Sequence, residues 1–351
     1  MISRVNPTYD GRNEEEGDMR ALVIFGLLAG FLAPLSARAQ EAREPVSIAT
    51  PNFSFTFSAG YVADELGLWQ KHGLDAKRTM IAGIANVNAV ISGSVDFAEA
   101  AGGTLTRAAA KGQRLLAIAI TINRPFIQIV LRKELAAAAG FDPHAPLKKR
   151  GEALRGRTIA IETVGAMIHS YLRLVASRSG YDPEEIRLAT MQATSVMPAF
   201  ASKQIDGFAQ SLPWTLVPVV DGSAVVIASG PDGDPPDLEP FAHNLVIARP
   251  ETCEKRKSVC DKVGHVYAEA MRNIHEHPAE ALALLQKRFA TIDPQILAAA
   301  FDEMSKATPA TPIVTKTAIE NAEIYSIDAG LMKREDKLPS YEGLFTDAFV
   351  R

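Results

Sequence analysis

Small and hydroxyl-bearing residues stand where several predicted loops pass into predicted helices. The first turn of a helix has backbone N–H groups without partners, and the helix dipole places partial positive charge there. Such an end suits an anionic group, for example a sulfonate or a carboxylate. Ordinary helix capping requires the same residue types, so both interpretations stay open. The residues concerned are Ser58, Gly102, Thr104, Gly165, Ala166 and Thr194.

Aromatic and polar side chains in the same regions could hold the organic part of a ligand. Aromatic rings bury a large apolar area, and a few well-placed polar groups then orient a small molecule. An arginine could also bind a carboxylate through two parallel hydrogen bonds. The aromatic candidates are Phe55, Phe57 and Trp214, and the polar candidates are Asn86, Asn123, Arg124 and Gln210.

Several of these residues have an alternative, structural interpretation. The two phenylalanines could belong to the core, Trp214 could cover an apolar face, and Arg124 could form a structural salt bridge. Glu99 and Glu162 lie near predicted strand ends. A carboxylate there would favour a cationic or pyrimidine-like ligand over an anion.

Motifs of common enzyme classes are absent from the sequence. There is no G-x-S-x-G, no phosphate-binding loop and no H-E-x-x-H, and the seven histidines show only the weak spacing of His275 and His277. The formal net charge is −4 and no long basic run occurs, which argues against a nucleic-acid partner. We therefore predict a protein that is not an enzyme, with no catalytic residue, no metal and no cofactor.

Strand and helix signals alternate along the chain from residue 45. Short apolar runs such as 46–50 and 158–162 are followed by loops and then by segments with helical spacing, such as 61–72 and 167–178. This alternation predicts an α/β fold in which helices flank parallel-type sheets.

One pattern occurs twice, at 89–98 and at 199–209. Each copy has a helix end, a tight turn, and a strand that opens on an apolar residue and an aspartate, Asp96 or Asp206. Chance similarity between two β-α-β units is the alternative, but we interpret the pattern as a duplicated lobe. We interpret both aspartates as structural residues rather than catalytic acids.

The N-terminal residues 1–39 are predicted to be a leader and signal peptide. Arg20 precedes an apolar run at 21–35, and Ala37-Arg38-Ala39 is typical of a cleavage site. The run is shorter than the ~20 residues that a spanning helix needs, although a retained membrane anchor is the alternative. Because the first 18 residues are polar and acidic, Met19 could be the true start.

The two cysteines, Cys253 and Cys260, could form a disulfide. Within one helix they would be separated by about 10 Å of rise, too far for a disulfide. Pairing therefore requires Cys253 to lie outside the following helix, and Pro250 favours a break there. Nearby cysteines can pair in an oxidising compartment, so the disulfide stays an open possibility.

Five short stretches follow one another along the chain: YVADELGLWQKHGLD (61–75), SGSVDFA (92–98), LRGRTIA (154–160), KQIDG (203–207), and IDAGL with YEGLF (327–331 and 341–345). Together they resemble the nitrate/sulfonate/taurine/thiamine-precursor family of ABC-transporter substrate-binding proteins. Each motif alone is weak, but five in the family's order are a strong signal. Ser-Leu-Pro-Trp at 211–214 replaces the family's frequent Glu-Pro, which puts the ligand's identity in doubt.

The resemblance implies a two-lobed, periplasmic-binding-protein-like fold of type II with a ligand cleft between the lobes. Lobe one would comprise 45–124 plus 241–351, and lobe two 125–240. Ligands of open α/β sheets bind at the carboxyl ends of strands, so the candidate residues would line this cleft.

We therefore predict an extracytoplasmic solute-binding protein that delivers a small organic anion, sulfonate-like or carboxylate-like, to an ABC importer by hinge closure. Its expected partners are this ligand and, transiently, the importer's membrane permease, and we expect a periplasmic monomer. The alternatives are a pyrimidine-like or thiamine-precursor-like ligand, or an enzyme on the same fold. The eukaryotic pyrimidine-precursor synthases that the chain also resembles carry a cysteine-rich motif, which is absent here.

Overall fold

Ten strands form two five-stranded sheets within residues 42–350, the part of the chain that the computed structural model describes. The predicted signal peptide, 1–39, lies outside the described residues. Helices flank both sheets, so the predicted α/β class with two sheets is confirmed.

The first sheet combines strands from two separate parts of the chain. They are β1 (Glu44–Thr50), β2 (Leu74–Met80), β3 (Phe97–Ala100), β4 (Leu116–Ile122) and β10 (Asn244–Ala248). Their spatial order is β2-β1-β3-β10-β4. Four of the strands are mutually parallel, and β10 runs antiparallel to its neighbours β3 and β4.

The second sheet repeats this arrangement with the strands that lie between. They are β5 (Gln128–Arg132), β6 (Thr158–Ile161), β7 (Arg187–Thr190), β8 (Gly207–Gln210) and β9 (Ala224–Ser229). Their order is β7-β6-β8-β5-β9, and β5 runs antiparallel to β8 and β9.

The sheets are of the expected parallel type except for one antiparallel strand in each. β10 and β5 are the first strands after the chain passes between the sheets, through 123–127 and 230–243. The parallel strands end at the edge that faces the other sheet. A chain that arrives at this edge must run back in the opposite direction, which makes each sheet mixed.

Fourteen helices of four or more residues lie within the described part of the chain, and none of them is both long and apolar enough to cross a bilayer. Those before β8 are α1 (Ser58–Glu65), α2 (Leu68–Lys71), α3 (Ala85–Ser92), α4 (Gly102–Ala110), α5 (Lys133–Ala138), α6 (Leu147–Gly151), α7 (Met167–Arg178) and α8 (Ala193–Ala201). Those after β8 are α9 (Leu216–Val220), α10 (Pro250–Lys255), α11 (Lys257–Glu276), α12 (Pro278–Arg288), α13 (Pro294–Ala307) and α14 (Lys316–Asp328).

The predicted helix over 61–72 is divided in two. Gly67 has a φ of +65°, a left-handed conformation that ends α1 and lets α2 start in a new direction. The edge strand β2 has no counterpart among the predicted elements, because its buried positions are few and Lys77 and Arg78 interrupt any apolar pattern.

Alternate residues of the central strands face opposite helix layers, as the two-residue period of a strand requires. In β10, Val246 packs in the apolar cluster that includes Val263 and Val266 of α11. Leu245 and Ile247 pack in a second cluster, which continues into the second sheet.

Asp96 and Asp206 have the same structural role in the two sheets. The Asp96 carboxylate accepts a hydrogen bond from the Ser47 backbone N–H at 2.9 Å, and the Asp206 carboxylate accepts one from the Thr158 N–H at 2.8 Å. Ser47 and Thr158 lie in β1 and β6, which hold equivalent places in their sheets. These shared contacts support the interpretation as a duplicated lobe.

Cys253 of α10 and Cys260 of α11 form a disulfide, with their Cα atoms 5.5 Å apart. α10 ends at Lys255 and α11 begins at Lys257, so the chain has the helix break that the pairing requires.

Candidate ligand-binding cleft

A cleft of about 620 Å³, partly open to solvent, lies where the two sheets face each other. The loops after β1, β2, β3, β6 and β8 contribute to its walls, together with both segments that pass between the sheets. The lining residues are Pro51, Asn52, Thr56, Phe57, Gly83, Ile84, Asn86, Val87, Ala100, Ala101, Thr104, Ile127, Glu162, Ala166, Met167, Ile168, Ser211, His243 and Asn244.

Glu162 follows β6 directly and places a buried carboxylate in the cleft wall. Its Oε2 accepts a hydrogen bond from Asn52 Nδ2 at 2.6 Å, and its Oε1 accepts one from Gln210 Nε2 at 2.9 Å. Burial raises the pKa of Glu162 to about 7, although both hydrogen bonds oppose the shift. Among the described residues that line the cleft there is no lysine or arginine, so this carboxylate has no cationic partner.

A neutral hydrogen-bond donor faces the same cavity. The Nδ1 atom of His243 accepts the backbone N–H of Phe126 at 3.4 Å, so the other ring nitrogen, Nε2, carries the proton. Burial lowers the pKa of His243 to about 3, which keeps the imidazole uncharged at neutral pH. Within residues 42–350, Nε2 has no hydrogen-bond partner, so it is free to donate to a ligand.

Two buried hydroxyls at the start of α1 also lack partners in the described structure. They are Thr56 Oγ1 and Ser58 Oγ, and the exposed fractions of these residues are 5% and 1%. Thr56 lines the cleft, whereas Ser58 lies behind it as the first residue of α1. A ligand atom beside Thr56 would satisfy at least one of these hydroxyls.

Glu99, the other carboxylate considered from the sequence, is already satisfied within the first sheet. Its carboxylate accepts hydrogen bonds from Thr50 Oγ1 at 2.7 Å, Tyr267 Oη at 3.1 Å and Arg78 Nη1 at 2.6 Å. This network lies beneath the cleft and holds the strand ends in place. The Glu99 carbonyl in turn accepts from Asn86 Nδ2 at 2.5 Å, which positions Asn86 in the wall.

Four of the predicted ligand-binding residues line the cleft, and two more stand directly behind it. The four are Phe57, Asn86, Thr104 and Ala166. Gln210 and Ser58 stand behind the wall, where Gln210 Oε1 accepts the Ser211 N–H and so points its amide NH₂ at Glu162.

The other two aromatic candidates belong to the apolar core. Phe55 is fully buried and packs edge-on against Phe289 with ring centroids 5.0 Å apart. Trp214 Nε1 donates to the Phe53 carbonyl at 2.6 Å, and the Trp214 ring lies in the same apolar cluster as Phe55. Their large apolar rings complete the core, where they are shielded from the cleft.

The remaining candidates are not among the residues that line the cleft. Gly102 is packed so closely that a Cβ atom would lie 2.6 Å from Ala242 Cβ. Asn123 pairs through its backbone with Ala307 and Phe241, and Arg124 pairs with Glu239 at 3.6 Å. Gly165 lies at the rim, and Thr194 is exposed in α8.

Sequence reasoning missed His243 and Asn244, at the start of β10. No local motif marks them, because their place in the wall depends on a segment that returns from the second sheet. The available signal was the predicted boundary between the lobes at 240–241. Residues that follow the passage of the chain from one lobe to the other must stand at the mouth of the cleft.

Several contacts join the two sheets across the cleft. In addition to the Asn52–Glu162 hydrogen bond, Arg107 Nη2 donates to the Gly165 carbonyl at 2.8 Å. Gly83 packs so tightly against Thr163 that a Cβ atom would lie 2.5 Å from its side chain. Within residues 42–350, no group of three or more His, Cys, Asp or Glu side chains is arranged to hold a metal ion.

Comparison with known proteins identifies relatives of part of this chain. The sequence model of the family described as NMT1/THI5 like matches residues 54–281. A protein of Brucella abortus (strain 2308), named only as a binding protein, is 30% identical over 209 residues, which are 57% of this chain. The match spans 60% of that relative's length.

Two solved structures have a similar fold. A Bordetella bronchiseptica RB50 protein gives a TM-score of 0.73 at 16% identity and covers 88% of this chain and 96% of its own. The alkanesulfonate-binding protein of Xanthomonas axonopodis pv. citri, bound to MOPS, gives 0.65 at 17% identity and covers 83% and 95%. At such identities the comparison establishes the fold.

Proposed function

The chain belongs to the NMT1/THI5-like family, and from this premise we propose that it is a solute-binding protein of an ABC importer. It captures one small organic molecule in the cleft between its sheets and presents it to a membrane permease outside the cytoplasm. The family match, the binding-protein folds of the neighbours and the cleft at the strand ends support this role.

We propose that the ligand is a nitrogen heterocycle, such as an aminopyrimidine, which donates N–H groups to Glu162. The observation that carries this proposal is the buried Glu162 carboxylate, which faces the cleft without a cationic partner. A ligand N–H, neutral or cationic, would complete its hydrogen bonding. A sulfonate or carboxylate at the same place would be repelled, so the geometry favours the heterocycle over the anion expected from the sequence.

The other cleft groups suit the same ligand class. His243 Nε2 and the Thr56 hydroxyl can each donate to a ring nitrogen or an oxygen, and Phe57, Ile84 and Met167 provide apolar surface for the ring. The titratable side chains among the described lining residues are Glu162 and His243, and neither contacts a hydroxyl nucleophile. This arrangement supports binding without catalysis.

We propose that the sheets belong to two lobes, 45–124 plus 241–351 and 125–240, which close about the segments 123–127 and 230–243. Those segments are joined by hydrogen bonds from Phe241 N–H to the Asn123 carbonyl at 2.8 Å and from Gly230 N–H to the Ile127 carbonyl at 2.9 Å. Two short, connected segments would allow one lobe to rotate against the other as a rigid body.

A thermal-shift screen tests the ligand class. The purified protein is heated with aminopyrimidines, other heterocycles, alkyl and aryl sulfonates, carboxylates and nitrate. We expect selective stabilisation by a heterocycle, of about 2.7 kcal/mol at 100 times its dissociation constant. The E162Q variant should lose at least tenfold in affinity for it, because an amide NH₂ replaces one of the two acceptor oxygens.

E134Q is the matched control, since Glu134 is an exposed glutamate in α5 and takes no part in the cleft. Its affinity should equal that of the wild type. Stabilisation by sulfonates alone, or an E162Q affinity equal to the wild type, would refute the proposed ligand class.

A further inference from the structure

A second cavity adjoins the cleft at its rim. It spans about 700 Å³, including space open to solvent, and its lining includes Ile84, Arg107, Lys111, Gly165 and Asp336. Ile84 lines both cavities, so the two spaces meet at this side chain.

Arg107 of α4 has hydrogen bonds only to uncharged acceptors. Its Nη1 donates to Ser326 Oγ at 3.0 Å, and its Nη2 donates to Thr104 Oγ1 at 3.2 Å and to the Gly165 carbonyl at 2.8 Å. Within residues 42–350, no carboxylate lies within ion-pair distance of its guanidinium. Arg107 is half-buried, and this burial lowers the pKa of its guanidinium.

A half-buried guanidinium without a counter-ion would bind an anion favourably. Its solvation is already reduced, and its Nε–H and one Nη1–H have no acceptor among the described residues and can each donate to an oxyanion. Lys111 adds a second positive charge at the cavity wall and the exposed Asp336 subtracts one, so the charged lining side chains sum to +1.

The arginine is also connected to the main cleft. Thr104, which accepts its hydrogen bond, lines the cleft, and so does Ala166, the neighbour of Gly165. Arg107 therefore lies directly beside the wall of the main cleft.

We propose that Arg107 and Lys111 form an outer subsite for a compact oxyanion, a phosphate, carboxylate or sulfonate group on the tail of the cleft's ligand. The ligand would then carry an N–H-bearing ring at the inner end and an acidic group at the outer end. This inference rests on the proposed function only where it joins the subsite to that ligand. The sequence suggested Arg124 as an arginine that could bind an anion. In this proposal Arg107 has that role instead.

Inorganic phosphate is the probe, measured by isothermal titration calorimetry on the purified protein. We expect saturable binding by the wild type and at least a tenfold loss of affinity in R107Q. R107K, which keeps the charge but not the planar fork, should have an intermediate affinity and guards against a general folding defect. R114Q is the matched control with unchanged affinity, because Arg114 is an exposed arginine paired with Glu251 at 3.3 Å.

The results separate the outer subsite from the inner ligand class. Phosphate binding that depends on Arg107 supports the subsite whether or not a heterocycle binds. A wild type without saturable phosphate binding, or an R107Q variant with unchanged affinity, would overturn it. Failure of every heterocycle to bind would instead refute the proposed ligand class at Glu162, which the phosphate titration does not test.

Discussion

Glu162 shows how one buried side chain determines the chemistry of the cleft. Its carboxylate is fixed by Asn52 from the first sheet and by Gln210 from the second, so both sheets contribute to its position. These amides satisfy one lone pair on each oxygen and leave acceptor capacity for a ligand. Removal of this group should therefore change both ligand affinity and the pH dependence of stability.

The pH dependence follows from the direction of the pKa shift. The native carboxyl keeps its proton up to about pH 7, whereas the unfolded chain releases it at about 4.5. The native state binds more protons between these values, so the contribution of Glu162 to stability is complete below pH 4.5 and is lost as the pH rises to 7. The stability of E162Q should depend less on pH. The free energy of unfolding of E162Q relative to that of the wild type should therefore increase by up to ~3 kcal/mol between pH 4 and pH 8.

Urea unfolding at several pH values measures this difference. His243 is neutral in the native state, and its effect below pH 6.5 is common to both proteins and cancels in the comparison. E134Q serves again as the control, because the pKa of Glu134 is lowered by a hydrogen bond with its own backbone and its effect has the opposite sign. A stability difference between E162Q and the wild type that is constant with pH would contradict the shift.

At the scale of the elements, the disulfide joins two helices that the sequence separates by one residue. α10 and α11 meet at Arg256, and both cysteines are buried in the core cluster of the first sheet. Neither cysteine lines either cavity, so the bond stabilises the helices that pack on the first sheet without contact with the ligand.

Removal of the disulfide should therefore lower stability and leave binding unchanged. We expect the C253A/C260A variant to lose ~2 kcal/mol, because the bond restricts a short loop of the unfolded chain. Urea unfolding with and without a thiol reductant checks this. The wild type should lose stability in reductant and the variant should not respond, whereas a variant as stable as the oxidised wild type would contradict the prediction.

At the scale of the whole molecule, the loop after β2 meets the loop after β6 across the cleft. Gly83 leaves room for Thr163 only because it has no side chain, and its φ of +59° is left-handed. A methyl group there should hold the sheets apart. The contacts from Asn52 to Glu162 and from Arg107 to Gly165 would then form less readily.

We expect G83A to bind the cleft's ligand about tenfold more weakly and to keep a larger radius of gyration in its presence, measured by small-angle X-ray scattering. G112A is the matched control, since Gly112 has a φ of +76° and an added Cβ atom would meet no other atom within 4 Å. In both variants, an alanine in the left-handed conformation lowers the free energy of unfolding by the same roughly 1 kcal/mol. Equal affinities in G83A and G112A would show that the contact with Thr163 does not limit closure.

Local spacing and short motifs were sufficient to predict the α/β class, the family and the structural role of Asp96 and Asp206, whereas the pairing of Cys253 with Cys260 stayed open. Each of these predictions depends on short local patterns, which the sequence shows directly. The folded chain was needed to show that Phe55 and Trp214 belong to the core, that Arg124 pairs with Glu239, and that Arg107 has no carboxylate partner within the described residues. It was also needed to show that Glu162 faces the cleft while Glu99 does not, because both lie near predicted strand ends and distant side chains decide which of them is already satisfied.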